Sequence, residues 1–461
     1  MKDINPRPGA HRRLAAMLRL AGLAALAACN LDVSDPEFAT PESLTRPEAI
    51  PTLYAGALGD FQNAYSGGGL DDKFLSTTAL ITDELKSSDT FTTRNATDTR
   101  EQFPSAQGNT TDAAYVWLHR ARRSLKVAAS AIETVIGADD PRVAELRALE
   151  GYTYVALGEA FCGAIPFSEV EGGTFIDGEP LGTAQVFDEA VSRFDAALAA
   201  DASSNLAKIG KARALVNNGD YAGAAAAVAG IPTTFVYLIE HSVNSNRQQN
   251  PIYNLNISNS RYTIADVEGG TGLPFLSADD PRIPWADIGV GFDTETPLYA
   301  VLRYPDFGTD VPLATGVEAR LIEAEAALAA GNTATFLQKL NNLRDSLDII
   351  MPVLFEDWDI SEAETETTNT SLAPLTLPLT TAEQEDLLFD ERGFWLFMTG
   401  HRLGDFRRLI RDYGRTQAEV FPTGAWHKLG LSYGDDVAFP VPFNEENNPN
   451  YDPAQCDVDQ A

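Results

Sequence analysis

Two regions of the sequence carry the pattern of paired helices that pack closely against each other. In each region an alanine-rich helix ends at Gly followed by Asp or Asn, at Gly219-Asp220 and at Gly331-Asn332, and a second helix begins at once. Glycine can end a helix without strain, and small residues let two helix backbones approach each other. Because the copies are few, they predict tetratricopeptide-like hairpins in a mostly α fold and not a long solenoid. The predicted helices are 186–200, 206–217, 221–229, 317–330 and 335–347.

Helical periodicity is also present before these hairpins. Apolar residues recur at helical spacing, and Pro or a polar cap residue stands near several of the starts. The polar stretch 86–111, rich in Thr, Asn, Asp and Ser, is expected to be a surface loop. The additional predicted helices are 45–61, 74–85, 112–136 and 141–161.

Long irregular segments interrupt the helices. One has short alternating patches at 235–239 and 261–264 that predict strands, and another, at 351–380, is acidic and rich in threonine. Loops of this length inside a compact domain are usually functional or disordered. We therefore expect a single domain, 41–461, with hairpins at about 112–230 and 316–348, a loop-rich insertion at about 231–315, and a C-terminal helix and tail at about 381–461.

The start of the chain has the three parts of a bacterial lipoprotein signal. Basic residues from Lys2 to Arg19 precede an apolar run, 20–28, that is too short to span a bilayer. The run ends Leu26-Ala27-Ala28-Cys29, which is similar to a lipobox, the site at which cysteine is acylated and becomes residue one. The sequence predicts a signal peptide at 1–28, lipid attachment (palmitate or similar acyl chains) at Cys29, and a tether at 29–40. The alternative is an ordinary cleaved signal followed by a chance cysteine.

The charge of the chain limits its partners. The formal net charge is −32, and removal of the basic signal would leave a still more acidic body. A surface of this sign repels phosphate backbones, so nucleic acid is not an expected partner. The acidic residues are spread along the chain, which is typical of a solvated surface.

The two cysteines that follow Cys29 are far apart. Cys162 lies near the middle of the chain and Cys456 lies near its end. In an oxidising compartment an isolated pair is most simply explained by a disulfide, although two unpaired thiols are the alternative. Such a bond would stabilise the fold by on the order of 4 kcal/mol in the chain-entropy model.

No catalytic signature is present. The chain lacks HExxH, GxSxG, a phosphate loop and a dinucleotide-binding glycine motif. His119, His241, His401 and His427 are isolated and lack metal-ligand spacing, so no metal or other cofactor is expected. The many carboxylates neither identify nor exclude a glycosidase pair. We therefore expect a binding protein and not an enzyme.

Several motifs, in order along nearly the whole chain after Cys29, resemble those of the SusD/RagB family of outer-membrane lipoproteins. They comprise a helix that ends in an aromatic-Gly-Pro turn, an Asp-Pro-Arg triplet, a Glu-rich helix pair, an Arg-rich C-terminal helix and a Pro-Val-Pro tail. The residues are Leu146-Arg147-Ala148 with Phe161 and Gly163 to Pro166; Asp280-Pro281-Arg282; Glu318 to Ala326 with Asn341 and Arg344; Glu391-Arg392 with Gly400, Arg402, Asp405 and Arg408; and Pro440-Val441-Pro442 with Glu446 and Asn448-Pro449.

The resemblance implies a function and a partner. Members of the family serve SusC-type TonB-dependent transporters, so this chain would capture an oligosaccharide outside the cell and deliver it while acting as a lid. It would be held on the outer membrane by its lipid anchor. The charged motif residues lie at helical spacings of three and four, which favours a structural role in ion pairs between helices over ligand contact. They are Arg320, Glu323, Glu325, Arg402, Asp405 and Arg408.

A sugar site would be built from aromatic faces and polar side chains on loops. Trp285 is the first candidate, although a tryptophan that follows proline is at least as often packed into the body. The full candidate set is Tyr65, Asp71, Phe91, Arg94, Asn95, Trp285, Phe292, Tyr299 and Tyr304.

The sequence leaves two other functions open. The cargo could be a peptide, in which case a deep acidic groove would favour basic peptides. The chain could instead be a tetratricopeptide-type scaffold for envelope assembly, with no small ligand and no transporter partner. The long loops disfavour a pure scaffold, because it has little use for them.

Overall fold

The computed structural model describes residues 46–102, 108–171, 173–355 and 365–461. The signal peptide, Cys29 and the tether predicted from the sequence lie outside the described residues. Pro47–Ala461 form one unit around a shared apolar core.

Helices dominate the described chain, as the sequence predicts. They are α1 Ile50–Tyr65, α2 Phe74–Ile81, α3 Thr92–Asp98, α4 Asp112–Val135, α5 Pro141–Ala160, α6 Thr183–Ala200, α7 Asn205–Asn217, α8 Tyr221–Ala227, α9 Pro251–Tyr253, α10 Gly316–Ala329, α11 Thr333–Asp345, α12 Leu347–Leu354, α13 Thr381–Trp395, α14 Arg402–Arg411 and α15 Gln417–Val420.

The strands are short and form two-stranded antiparallel ladders. They are β1 Leu85–Ser87 with β7 Tyr262–Ile264, β2 Ile165–Pro166 with β5 Pro180–Leu181, β3 Glu169–Glu171 with β4 Thr174–Ile176, β6 Val236–Ile239 with β10 Val311–Thr315, and β8 Trp285–Val290 with β9 Pro297–Val301. The structure confirms a mostly α fold with short strands; β6 to β10 lie in the irregular region, whereas β1 to β5 lie before it, where no strand was predicted.

The central helices pack in chain order. Each of α4 to α7 packs against the next helix, and α8 contacts α10, which pairs with α11. Small residues at the crossings permit this packing. The ring of Phe194 occupies the space that a Cβ at Gly151 or at Gly210 would need. A larger residue at either glycine would therefore force α6 away from its neighbours.

Buried ion pairs join α10, α13 and α14. Arg408 pairs with Glu325 and with Asp405, the latter at 2.9 Å, and Arg392 contacts Asp405 at 2.8 Å. Although burial alone would raise it, the two guanidinium groups hold the pKa of Asp405 well below its ordinary value. Four motif residues of these helices thus contact each other and not the solvent, namely Glu325, Arg392, Asp405 and Arg408.

Two expectations about 74–111 are wrong. The second helix ends at Ile81, and the segment predicted to be a surface loop contains most of β1 and all of α3, with most of residues 86–102 buried or partly buried. Its polar side chains find partners inside the fold. Asp98 accepts hydrogen bonds from the backbone of Ser87 at 2.7 Å and from the indole of Trp426 at 3.0 Å. Polar composition therefore predicted exposure where hydrogen bonding permits burial.

A disulfide connects the C-terminal tail to the end of α5. Cys162 and Cys456 are bonded, with their Cα atoms 5.1 Å apart across 294 residues. The backbone of the tail also docks there, since Cys162 donates to the carbonyl of Phe439 at 2.9 Å. The tail thereby becomes part of the helical body.

Candidate functional site

Two exposed phenylalanine rings and an arginine form a platform on the surface of the irregular region. The guanidinium carbon of Arg261 lies 3.4 Å from the centroid of the Phe292 ring and 5.2 Å from that of Phe91. Phe91 is 53% exposed and Phe292 is 46% exposed. We call Phe91, Arg261 and Phe292 the aromatic platform.

A buried carboxylate holds the platform in place. Asp89 accepts hydrogen bonds from Arg261 at 2.8 Å and from Arg94 at 2.5 Å. Burial alone would raise the pKa of Asp89, but these two arginines lower it, so the group stays ionised. Asp89 thus fixes the position of Arg261 between the two rings.

Backbone contacts bring the platform loops together. Asp293 donates from its amide to the carbonyl of Ser88 at 2.9 Å, and Phe292 donates to the carbonyl of Ser260 at 2.7 Å. Gly291 is required at this crossing, because a Cβ there would overlap the side chain of Ser88. Three chain segments distant in sequence therefore meet at one surface.

A fourth segment borders the platform. Lys428 donates to the carbonyl of Asp89 at 2.7 Å and pairs with Asp293 at 3.0 Å. Leu429 and Leu431, which follow it, are 72% and 44% exposed. Two exposed leucines thus follow a lysine whose buried side chain is tied to the platform loops.

The first candidate, Trp285, lies on the same hairpin but away from the platform. Its ring contacts that of Tyr299 edge to face, with centroids 5.3 Å apart. Both side chains are partly buried against the core. Trp285 begins β8, whereas Phe292 follows its end, so roughly 20 Å of strand separates them. The structure brings Phe91 and Phe292 together and pairs Trp285 with Tyr299 elsewhere.

Two of the tyrosine candidates belong to the core. Tyr65 is 1% exposed and Tyr304 is fully buried. Their hydroxyls donate to the neighbouring carbonyls of Thr399 and Met398, at 2.9 Å and 2.8 Å. The expectation that they contact a ligand is corrected, because both rings support the loop before α14.

Arg94 and Asn95 are also not open to a ligand. The guanidinium of Arg94 is buried and bound by Asp72, Asp89 and the carbonyl of Leu70. Asn95 accepts from the hydroxyl of Ser87 at 2.7 Å and is 8% exposed. These two residues support the platform from below. Asp71, in contrast, has a side chain that is 71% exposed and lies 3.7 Å from the ammonium of Lys73.

Sequence reasoning missed three parts of this surface, namely Arg261, Lys428 and the leucines that follow Lys428. Arg261 was within a predicted strand and carried no motif. The segment that contains Lys428 and the leucines did carry a signal, because apolar residues flank the glycine that follows Trp426-His427-Lys428-Leu429. Leu429 has a positive φ of 59°, which fixes this segment as a tight surface turn.

The chemistry of the platform suits the binding and orientation of a ligand. Flat aromatic rings can pack on the apolar face of a sugar ring. In the described part of the chain, no group of three or more His, Cys, Asp or Glu side chains is placed to hold a metal ion. The one histidine beside the platform, His427, contacts the carbonyl of Ser87 at 2.9 Å, and burial lowers its pKa to about 4.

Sequence comparison alone finds no relative. No protein-family model matches the chain, and no curated protein matches it. Among the described residues, no helix is long and apolar enough to cross a membrane.

Solved structures do match. A SusD superfamily protein from Bacteroides thetaiotaomicron VPI-5482 has a TM-score of 0.61 and 14% identity, with 87% of this chain and 98% of that chain covered. A SusD-like carbohydrate-binding protein from Bacteroides vulgatus ATCC 8482 has a TM-score of 0.54 and 14% identity, with 78% of this chain and 82% of that chain covered. A laminarin-binding SusD-like protein has a TM-score of 0.58 and 14% identity, with 87% of this chain and 99% of that chain covered. The resemblance seen in the motifs is thus confirmed at the level of structure: the chain has the SusD fold.

Proposed function

We propose that this protein is a lipid-anchored outer-membrane protein that captures an oligosaccharide on the aromatic platform and delivers it to a SusC-type TonB-dependent transporter. The observation that carries the proposal is the exposed pair Phe91 and Phe292, clamped around Arg261 on a SusD fold. Exposed apolar surface of this kind is typical of a ligand-binding site, and here a buried ion pair holds the rings in place. Hinge motion relative to the transporter would admit the ligand and present it.

A glycan is the preferred cargo because the platform exposes two aromatic rings. Planar rings suit the apolar faces of pyranoses. Two proteins with the same fold, one carbohydrate-binding and one laminarin-binding, are consistent with this class. The proposed role is binding, in line with these two fold relatives.

The anchor rests on the start of the sequence. We propose a signal peptide at 1–28, acylation of Cys29, a tether at 29–40 and the binding domain from 41 onward. Several acyl chains on Cys29 would hold the protein on the outer membrane, since each buried methylene contributes about 0.8 kcal/mol.

A pull-down tests the proposed role. The full chain, tagged at its C terminus, is recovered from detergent-solubilised outer membranes of the source bacterium and its partners are identified by mass spectrometry. We expect a TonB-dependent transporter in stoichiometric amount. Recovery of envelope-assembly proteins alone would instead support a scaffold. As a control, Cys29→Ser should leave the protein without lipid and outside the membrane fraction.

A further inference from the structure

A second recess lies away from the aromatic platform. It is a cleft of about 860 Å³ between one face of α1 and strand β6, and the loop 242–248 closes one end. Its walls include Tyr54 and Gly56 from α1 and Leu238 and Glu240 from the strand region. The proposed glycan role makes no use of this cleft.

One edge of β6 is unpaired and borders the cleft. Within the described ranges the strand has a single neighbour, β10. Phe235 accepts from the amide of Gly316 at 2.7 Å, and the amide of His241 donates to Asp310 at 2.7 Å, so these odd-numbered positions point toward β10. The N–H and C=O groups of successive residues in a strand point to opposite edges. Those of Val236, Leu238 and Glu240 therefore point away from β10.

The residue opposite Leu238 supports this assignment. Leu238 pairs in register with Pro312, which has no N–H to donate. Proline is tolerated in a ladder at positions without an inward hydrogen bond. The N–H and C=O of Leu238 therefore face the cleft and are available to another strand.

The opposite wall leaves room for a backbone. Gly56 and Gly59 lie within α1 and line the cleft, and a Cβ at either would meet open space. Glycine inside a helix costs about 1 kcal/mol relative to alanine. Two such glycines facing one recess fit the close approach of another polypeptide.

The charge at the strand end of the cleft is negative. Both carboxylate oxygens of Glu145 accept from tyrosine hydroxyls, from Tyr54 at 2.5 Å and from Tyr237 at 2.7 Å. Burial and the bond to Glu145 raise the pKa of both tyrosines, so these hydroxyls remain donors. Glu240 is exposed nearby. A basic side chain would find two carboxylates there.

The arginines at the other end are neutralised. Asp60 pairs with Arg247 at 2.7 Å and with Arg120 at 3.4 Å. The cations that line the cleft among the described residues are these two. The carboxylate at the end of a peptide would therefore find no unpaired positive charge among the described residues of the cleft. This favours an internal segment of a longer chain as the occupant.

We propose that this cleft receives an extended internal segment of a partner protein, which adds as a strand to the open edge of β6 and places a Lys or Arg side chain against Glu145 and Glu240. This mode of binding uses backbone hydrogen bonds for affinity and the alternating side chains for specificity.

Calorimetric titration of the purified full chain tests the proposal with the capped peptide acetyl-Thr-Val-Thr-Lys-Thr-Val-Thr-amide. We expect measurable binding, and about tenfold weaker binding when Glu replaces Lys. N-methylation of alternate amides should abolish binding, because it removes the donors of the added strand. A peptide with a free carboxylate should bind no more tightly than the capped one. Absence of binding at about 1 mM capped peptide, or equal binding of the N-methylated peptide, would overturn the proposal.

Two variants locate the site. Glu240→Lys should reverse the preference between the Lys and Glu peptides, and Gly56→Leu should fill the cleft and weaken both by about tenfold. Glu179→Lys, an exposed charge reversal outside the cleft, is the matched control and should change neither. Glycan affinity should be unchanged in all three variants. An unchanged peptide preference in Glu240→Lys would contradict the proposed site while leaving the glycan role intact.

Discussion

Arg261 lies against the ring of Phe292, with its guanidinium carbon 3.4 Å from the ring centroid, while Asp89 holds the same guanidinium at 2.8 Å. A surface aromatic ring is thus tied to a buried carboxylate through one arginine. Cation–π contacts of this kind contribute about 0.5–1 kcal/mol at exposed sites. The platform is therefore positioned before any ligand arrives, which reduces the entropy lost on binding.

Removal of this arginine should loosen the platform without unfolding the protein. We expect Arg261→Ala to weaken binding of a glycan ligand by about fivefold to tenfold, which corresponds to about 1–1.4 kcal/mol. Arg123→Ala, an exposed arginine paired with Glu169, is the control and should leave affinity unchanged. The measurement is isothermal titration calorimetry. Equal affinity in both variants would show that Arg261 does not order the rings.

The buried pair of Arg408 and Glu325 should carry much of the stability of the C-terminal helices. Arg408→Ala removes the cation that bonds Glu325 and leaves Asp405 with Arg392 alone, so it should lower the free energy of unfolding by about 3–5 kcal/mol. Arg411→Ala, one turn away and partly exposed, should cost about 1 kcal/mol or less. Urea denaturation followed by circular dichroism measures both. Similar losses in the two variants would argue against a structural role specific to Arg408.

A buried carboxyl should make stability depend on pH. Burial raises the pKa of Glu84 to about 8, and one of its oxygens has no hydrogen-bond partner. The folded state therefore favours the protonated acid, so its contribution to stability is full below the ordinary pKa of glutamate and is lost as pH rises through about 8. Glu84→Gln removes this titration. The melting temperature of the wild type should fall more between pH 5 and pH 8 than that of the variant, and parallel curves would contradict the assignment.

The disulfide should stabilise the docked tail. The double variant Cys162→Ser/Cys456→Ser should lower the free energy of unfolding by on the order of 4 kcal/mol, because the bond closes a loop of several hundred residues. Thermal unfolding of the oxidised wild type and of the variant measures the difference. Addition of a reductant should shift the wild type toward the variant and leave the variant unchanged. A wild type that melts at the same temperature in both states would indicate that the tail docks without the bond.

Local patterns in the sequence predicted the helices well and the burial of polar segments poorly. The hairpin from α10 to α11 follows from alanine-rich helices and a Gly-Asn turn, which are short-range signals. The burial of Arg94 depends instead on Asp72 and Asp89, and that of Asp98 on Trp426, which is 328 residues away. Such partners are invisible to composition and periodicity.

The same limit applied to the candidate site. Phe91 and Phe292 were predicted as ligand contacts, and the structure places both at the surface. Tyr65 and Tyr304 carried the same signal but lie in the core, because their hydroxyls meet backbone carbonyls of a loop that is distant in sequence. Residue type alone could not separate an exposed ring from one that supports the fold.

The central claim is that Phe91 and Phe292 bind a glycan. The most direct test is a glycan microarray probed with the wild type and with the double variant Phe91→Ala/Phe292→Ala, followed by calorimetry on the best ligand. A variant at the partly buried pair, Tyr299→Phe, serves as the matched control. We predict that the wild type binds a defined oligosaccharide class, that the double variant loses at least about tenfold in affinity, and that the control retains it. No glycan binding by the folded wild type, or equal binding by the double variant, would contradict this account.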